Sequence, residues 1–289
     1  MTTTTNWIDP HIHLFALGVG EYGWLRAENP PYWSDKALIA KEFTETQLNA
    51  ASQGRLQGFV HIEAGFDNQR PWRELQFLTT HCKRPFRSIA CIDLNTCEAH
   101  SHIDTLAAYS SVSGLRHILD DDAAHLLHTP KVRWSLAHMA SRNLSFEAQF
   151  DVADSIAVKA LLQTLERTPD LRIAINHTAI APLALSSSRF MMWKEHIRRL
   201  SETKQVMFKF SGLEMQDRQW SWQRAYLLFD ALLSITSPQQ VMLASNYPLS
   251  LWRMPYIKLW EGYCEMVSIL PTSEQEALLK RNAHKWYGF

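Results

Sequence analysis

The chain has little of what marks several large classes of protein. Its 289 residues carry 29 basic and 29 acidic side chains, a formal net charge of +0. No whole-molecule field therefore draws it to nucleic acid, and a small anionic substrate must be met by local groups. There are 4 cysteines, Cys82, Cys91, Cys97 and Cys264, and none forms a Cys-x-x-Cys pair. This argues for buried reduced thiols rather than a disulfide framework or a zinc knuckle. No apolar run approaches the roughly 18 residues that cross a membrane. The segment Met1-Thr2-Thr3-Thr4-Thr5-Asn6 lacks the basic and apolar regions of a secretory leader. A cytoplasmic protein without membrane or nucleic-acid partners is expected. Apart from Thr2–Thr5 there is no low-complexity tract, and no internal repeat is evident. No Gly-x-Gly-x-x-Gly follows the first strand signal, which removes the dinucleotide signature of a doubly wound sheet.

What is present is a substantial apolar core: 46% hydrophobic residues and 11 tryptophans in a length that suits one barrel-sized domain over residues 1–289. Strand-like runs fall at 6–13, 57–64, 86–94, 112–119, 145–150, 171–177, 206–213 and 241–246. Helix-compatible stretches lie between them at 36–53, 70–82, 98–109, 130–142, 155–168, 190–203 and 220–236, with more helix after 254. Such alternation predicts parallel β/α units. Polar residues come late in several strands, as in Phe59-Val60-His61-Ile62-Glu63 and Ile173-Ala174-Ile175-Asn176-His177. In a (β/α)8 TIM barrel the C-terminal strand ends carry the active site, so the expected fold is α/β, a TIM barrel. Residues 14–35, with Tyr22, Trp24, Tyr32, Trp33 and Pro30-Pro31, form a long connection suited to covering one barrel end.

The sharpest lead is Ile8-Asp9-Pro10-His11-Ile12-His13-Leu14. Residues i and i+2 of a strand share a face, so His11 and His13 project together. Paired imidazoles can hold a metal, shuttle a proton or bind an oxyanion. His61 and Glu63 have the same relation on the second strand and could extend the site. Glu147 and Gln149 share a face of the fifth strand, where one could meet substrate or both could serve an interior polar layer. Lys209 between Phe208 and Phe210 suits either an inward group, which when buried needs a partner or a shifted pKa, or an outward one packed by its stem. His117 faces away from Arg116 if both are extended.

Together with His11 and His13, the runs Tyr22-Gly23-Trp24-Leu25, Gly114-Leu115-Arg116-His117, Ile175-Asn176-His177, Lys209-Phe210-Ser211-Gly212-Leu213 and Ser245-Asn246-Tyr247-Pro248 resemble, in order and spacing, the amidohydrolase superfamily. The likeness is to its amidohydrolase-related, lactonase-like group of TIM-barrel hydrolases. That resemblance implies a His-x-His pair on the first strand (His11, His13), a histidine from the sixth (His177) and, from the eighth, a residue that is usually aspartate but here is Asn246. It implies an arginine for a substrate carboxylate, with Arg116 the matching position. His11, His13 and His177 are then the candidate ligands of a divalent metal such as zinc. Without metal, one imidazole would act as base while the others polarise a carbonyl.

The expected function is hydrolysis of a carboxylic ester, a lactone of a small carboxylate-bearing sugar acid or aromatic-degradation product, by water attack on the carbonyl. His11, His13, His177 and Asn246 are the catalytic candidates; Trp24, Arg116, Gln149 and Lys209 are the substrate-binding ones. Asn246 cannot accept a proton as a carboxylate does, and a positioned base contributes on the order of 10²–10⁴ in rate. This motivates two rivals: a metal-dependent decarboxylase or lyase on the same scaffold, and a catalytically weak barrel that binds a small molecule. The sequence carries no sign of oligomeric state.

Overall fold

The computed structural model describes residues 5–289, so Met1–Thr4, and with them most of the threonine run, lie outside the described residues. Eight parallel strands pair in chain order, β1 Trp7–Ile12, β2 Leu56–Ile62, β3 Phe86–Cys91, β4 Val112–Arg116, β5 Ser145–Ala148, β6 Arg172–Ile175, β7 Val206–Phe210 and β8 Val241–Leu243. The barrel closes just beyond β8. Asn246 N–H donates to the His11 carbonyl at 2.9 Å, His13 N–H donates to the Tyr247 carbonyl at 2.6 Å, and Ile12 bridges Tyr247 in parallel. The fold is a single-domain (β/α)8 TIM barrel, with strand ends within a few residues of those expected from pattern.

Helices surround it: α1 Glu45–Ser52, α2 Trp72–His81, α3 Ala99–Ala107, α4 Ala123–His128, α5 Pro130–Ser141, α6 Ser155–Arg167, α7 Ser188–Ser201, α8 Leu213–Gln216, α9 Trp222–Leu233, α10 Tyr256–Val267, α11 Thr272–Glu276 and α12 Asn282–Tyr287. The helix expected over 36–53 is shorter. Lys36–Leu38 makes only a 3-10 turn, and Phe43 and Phe15 then exchange backbone hydrogen bonds, each at 2.9 Å, so that α1 begins after them. Thr44 then caps α1 from the Thr46 N–H, with Gln47 completing a capping box.

Inside the barrel, Ile8, Val60, Ile62, Ile89, Ala174, Met207 and Met242 form a lower apolar layer with Ala283 and Tyr287 of α12. The C-terminal helix thus plugs the N-terminal end of the strands. Outside, Trp7 stacks on Trp260 at 4.8 Å between ring centres and donates from Nε1 to Tyr256 Oη at 3.1 Å. Gly114 is required where β4 meets β5, since a Cβ there would lie 2.3 Å from Ser145 Oγ. With its lower end sealed, the barrel can open only at the C-terminal strand ends.

Candidate active site

Strand parity and one irregularity set the site. The β1–β2 register shifts between Asp9 and Ile12, the stretch that carries His11, and His13 follows at the upper end of the strand. Their ring centres are 5.1 Å apart, and His177 lies 4.6 Å from His11. His13 Nδ1–H donates to the carbonyls of Ile62 at 3.0 Å and Glu63 at 3.2 Å, leaving Nε2 as the acceptor. His177 sits just past β6 with φ +53°, its Nδ1 3.3 Å from Ser211 Oγ. Its ring lies against Gly212, which has φ +72°; a Cβ there would be 2.5 Å from His177 Nδ1. Only glycine accommodates both that backbone and that contact.

All three imidazoles are held neutral. Burial, then the charge of Lys209 and the neighbouring rings, puts His11 well below its ordinary pKa. Burial followed by Arg116 does the same for His13. For His177, burial, Arg116 and Lys209 lower the value to about 3. Both ring nitrogens of His11 are buried without a hydrogen-bond partner, as are both polar atoms of Asn176 and the Oδ1 of Asn246. Buried polar atoms are rarely left so. These atoms lie at the upper ends of β1, β6 and β8, beside a cavity of about 740 Å³ whose wall includes His13, His177 and Asn246.

The cover expected from residues 14–35 is real: Trp24, Pro30, Pro31 and Trp33 line this cavity. Trp24 Nε1 donates to the Ala64 carbonyl at 2.7 Å, which fixes its ring as a wall. Arg116 and Gln149 also reach the cavity, but Arg116 is already engaged. Its Nε donates to Glu63 Oε1 at 2.7 Å and its Nη2 to the Glu63 carbonyl at 2.9 Å, leaving the Nη1 edge, 3.4 Å from Gln149 Oε1. The bidentate fork expected for a substrate carboxylate is therefore occupied by Glu63.

Two expected groups stand elsewhere. Lys209 points inward but below the cavity, its Nζ 2.7 Å from Glu147 Oε2 with both side chains fully buried. The contact is a close charge pair without hydrogen-bond alignment. Tyr287 Oη donates to the other Glu147 oxygen at 2.7 Å, so the pair joins β5, β7 and α12 rather than meeting substrate. His61 faces outward: Nε2–H donates to Glu74 Oε1 at 2.9 Å, and Nδ1 accepts from Leu14 N–H at 3.2 Å. His117 likewise leaves the cavity side, its Nδ1 accepting from Leu94 N–H at 3.1 Å.

One group was missed. Glu214, in the first turn of α8, is buried and accepts from Asn246 Nδ2 at 2.6 Å. Burial raises its pKa to about 7. The sequence signal was a carboxylate two residues beyond Ser211-Gly212, at the C-terminal end of a barrel strand.

As they stand, no three His, Cys, Asp or Glu among the described residues are gathered as a metal-ligand cluster. The donor chemistry nonetheless suits a divalent cation: neutral imidazoles, two with Nδ1 engaged by oxygen and a third with both nitrogens unpartnered.

Comparison with known proteins gives the same class. Residues 8–289 match the family model described as amidohydrolase. The chain belongs to the amidohydrolase family and is an enzyme of the amidohydrolase-related hydrolase type. It is 26% identical over 294 residues to the uncharacterized protein y4mH of Sinorhizobium fredii, with 97% of each chain covered. It is also 26% identical to an L-fucono-1,5-lactonase of Burkholderia ambifaria, over 69% of this chain and 68% of that one. A crystal structure of an amidohydrolase from Burkholderia multivorans with bound zinc superposes with a TM-score of 0.84, covering 99% of this chain and 100% of that one. At 18% identity that likeness concerns the fold alone.

Proposed function

We propose that the protein opens the lactone of a sugar acid, water attacking the ring carbonyl to give the open-chain hydroxy acid. The observation that carries this reading is the convergence of His13, His177 and Asn246 on one aromatic-walled cavity, with His11 packed behind against both imidazoles and with the nitrogens of His11 and the Oδ1 of Asn246 left unpartnered. Its relative named as a lactonase supports the same chemistry.

The cavity wall favours a polyhydroxylated ring over an aromatic diacid. Among its described lining residues the one permanent cation is Arg116, whose charge Glu63 largely offsets. Asn68, Asp120, Gln149 and Gln216 offer donors and acceptors for hydroxyl groups, while Trp24 and Trp33 offer apolar faces. Any carboxylate on the substrate would meet the single Nη1 edge of Arg116.

In this mechanism the Oδ1 of Asn246 accepts from the attacking water and fixes its approach. A neutral imidazole, His177 through Nε2, takes the proton as the carbonyl oxygen becomes an oxyanion. The new negative charge raises that ring's basicity at the moment it is needed. Collapse breaks the ring C–O bond, and the same imidazolium returns the proton to the departing alkoxide. His11, His13 and His177 are also the residues that would hold a divalent ion, as zinc is named in the Burkholderia multivorans structure, and His177 would then be a ligand in place of the base. When bound, such an ion polarises carbonyls and acidifies water.

The test is a panel of purified sugar-acid lactones and aromatic acids, followed by acid release and by CO₂ release, with elemental analysis of the protein. Lactone opening without CO₂ release is expected. Decarboxylation of an aromatic acid without lactone opening would replace this reading with the lyase alternative.

A further inference from the structure

We infer that Glu214 is a positioning residue for Asn246. It takes the amide nitrogen of Asn246 and so turns Oδ1 toward the histidine cluster as a fixed, neutral acceptor. This deepens the hydrolytic reading and rests on it for the word catalysis, though the pairing stands on geometry alone.

An asparagine side chain has two nearly isosteric ends, and a half-turn about its last bond exchanges donor for acceptor. The surroundings of Asn246 remove that degeneracy. Its backbone is fixed by the N–H donated to His11 and by a φ of +59°. Its Nδ2 lies 2.6 Å from Glu214 Oε1, so while Glu214 is ionised the reversed amide would press oxygen against carboxylate oxygen. Oδ1 is then the end with no partner in the protein, fully buried at the cavity wall. Glu214 is itself held. Gly212 turns the chain out of β7, Arg218 donates to the Glu214 carbonyl, and the same guanidinium bonds Asp35 of the aromatic cover at 2.8 Å. The carboxylate that position 246 lacks is thus present one neighbour away, where it orients rather than touches the reacting atoms.

This arrangement predicts a polarity swap. Asn246→Asp alone sets two carboxylates 2.6 Å apart, which can coexist only by sharing a proton. Combining it with Glu214→Gln restores a donor–acceptor pair in the opposite sense. Full-length wild type, Asn246→Asp, Glu214→Gln, Glu214→Leu and the double variant are compared by thermal unfolding from about pH 5 to about pH 8. Their kcat and KM on L-fucono-1,5-lactone are measured in parallel.

Relative to wild type, the Tm of Asn246→Asp should fall progressively as pH rises, and the double variant should lose most of that fall. Glu214→Leu should lower kcat by on the order of tenfold to a hundredfold with KM little changed, whereas Glu214→Gln, which keeps an acceptor oxygen, should retain most of kcat. An Asn246→Asp protein as stable as wild type at every pH, or a Glu214→Leu enzyme with unchanged kcat, overturns the proposal. If wild type leaves this and every other sugar-acid lactone of the panel intact, the hydrolytic reading fails. The stability cycle, which uses no substrate, then decides the pairing by itself.

Discussion

At the scale of single residues the site depends on what each side chain already touches. His11 and His13 bring their ring centres within 5.1 Å, with His13 at the cavity wall and His11 behind it, while His61 and Glu63, at the same spacing, part company. His61 turns out to Glu74, and Glu63, beyond the end of β2, bends in to Arg116. Gly212→Ala is expected to leave the barrel folded but displace His177, because the added Cβ meets its ring and the φ of +72° is strained. A misplacement of about 1 Å can lower turnover on the order of 10²-fold, readable in kcat beside an unchanged circular dichroism spectrum. Glu214 makes a pH prediction. Its folded pKa, about 7, is raised above an ordinary 4.5, so its contribution to stability is full below about 4.5 and is lost as pH rises through about 7. Glu214→Gln should therefore gain on wild type between pH 5 and 8, by on the order of 3 kcal/mol, in urea unfolding. A gap that stays constant with pH would show that Glu214 titrates normally. The amino-acid order revealed the histidines and the odd Asn246, because motif order and strand spacing are local. It did not reveal that Glu63 holds Arg116 or that Glu214 holds Asn246, because those pairs join residues 53 and 32 positions apart.

At the scale of elements, alternation along a strand is legible but its phase is not. Lys209 and Glu147 do face inward, yet one layer too low to meet substrate, where they pair with each other under His11. Their role is to tie β5 and β7 to Tyr287 of the C-terminal plug. Lys209→Met leaves Glu147 as an uncompensated buried charge and should cost about 3–5 kcal/mol. Adding Glu147→Gln, which keeps an acceptor for Tyr287, should recover most of it. Chemical-denaturation midpoints of the two variants check this, and equal losses in both would refute the pairing. The segment 36–44 shows another limit of local pattern: its composition suits one helix continuous with α1, but it makes only a 3-10 turn at Lys36–Leu38 before Phe43 bridges Phe15.

For the whole molecule, the β/α rhythm and the absence of a dinucleotide signature point to the barrel, and the structure has its eight parallel strands, with α12 packed under the lower apolar layer. Among the described residues no helix is long and apolar enough to cross a membrane. The central claim is that the histidine cluster opens a lactone ring. Its most direct test is kcat/KM for L-fucono-1,5-lactone at neutral pH, measured with and without added zinc, in wild type and in His177→Ala. Turnover by wild type and a loss of on the order of 10²-fold or more in the variant are expected. Equal rates in the two proteins, or no opening of this or any other sugar-acid lactone under either condition, would contradict that claim.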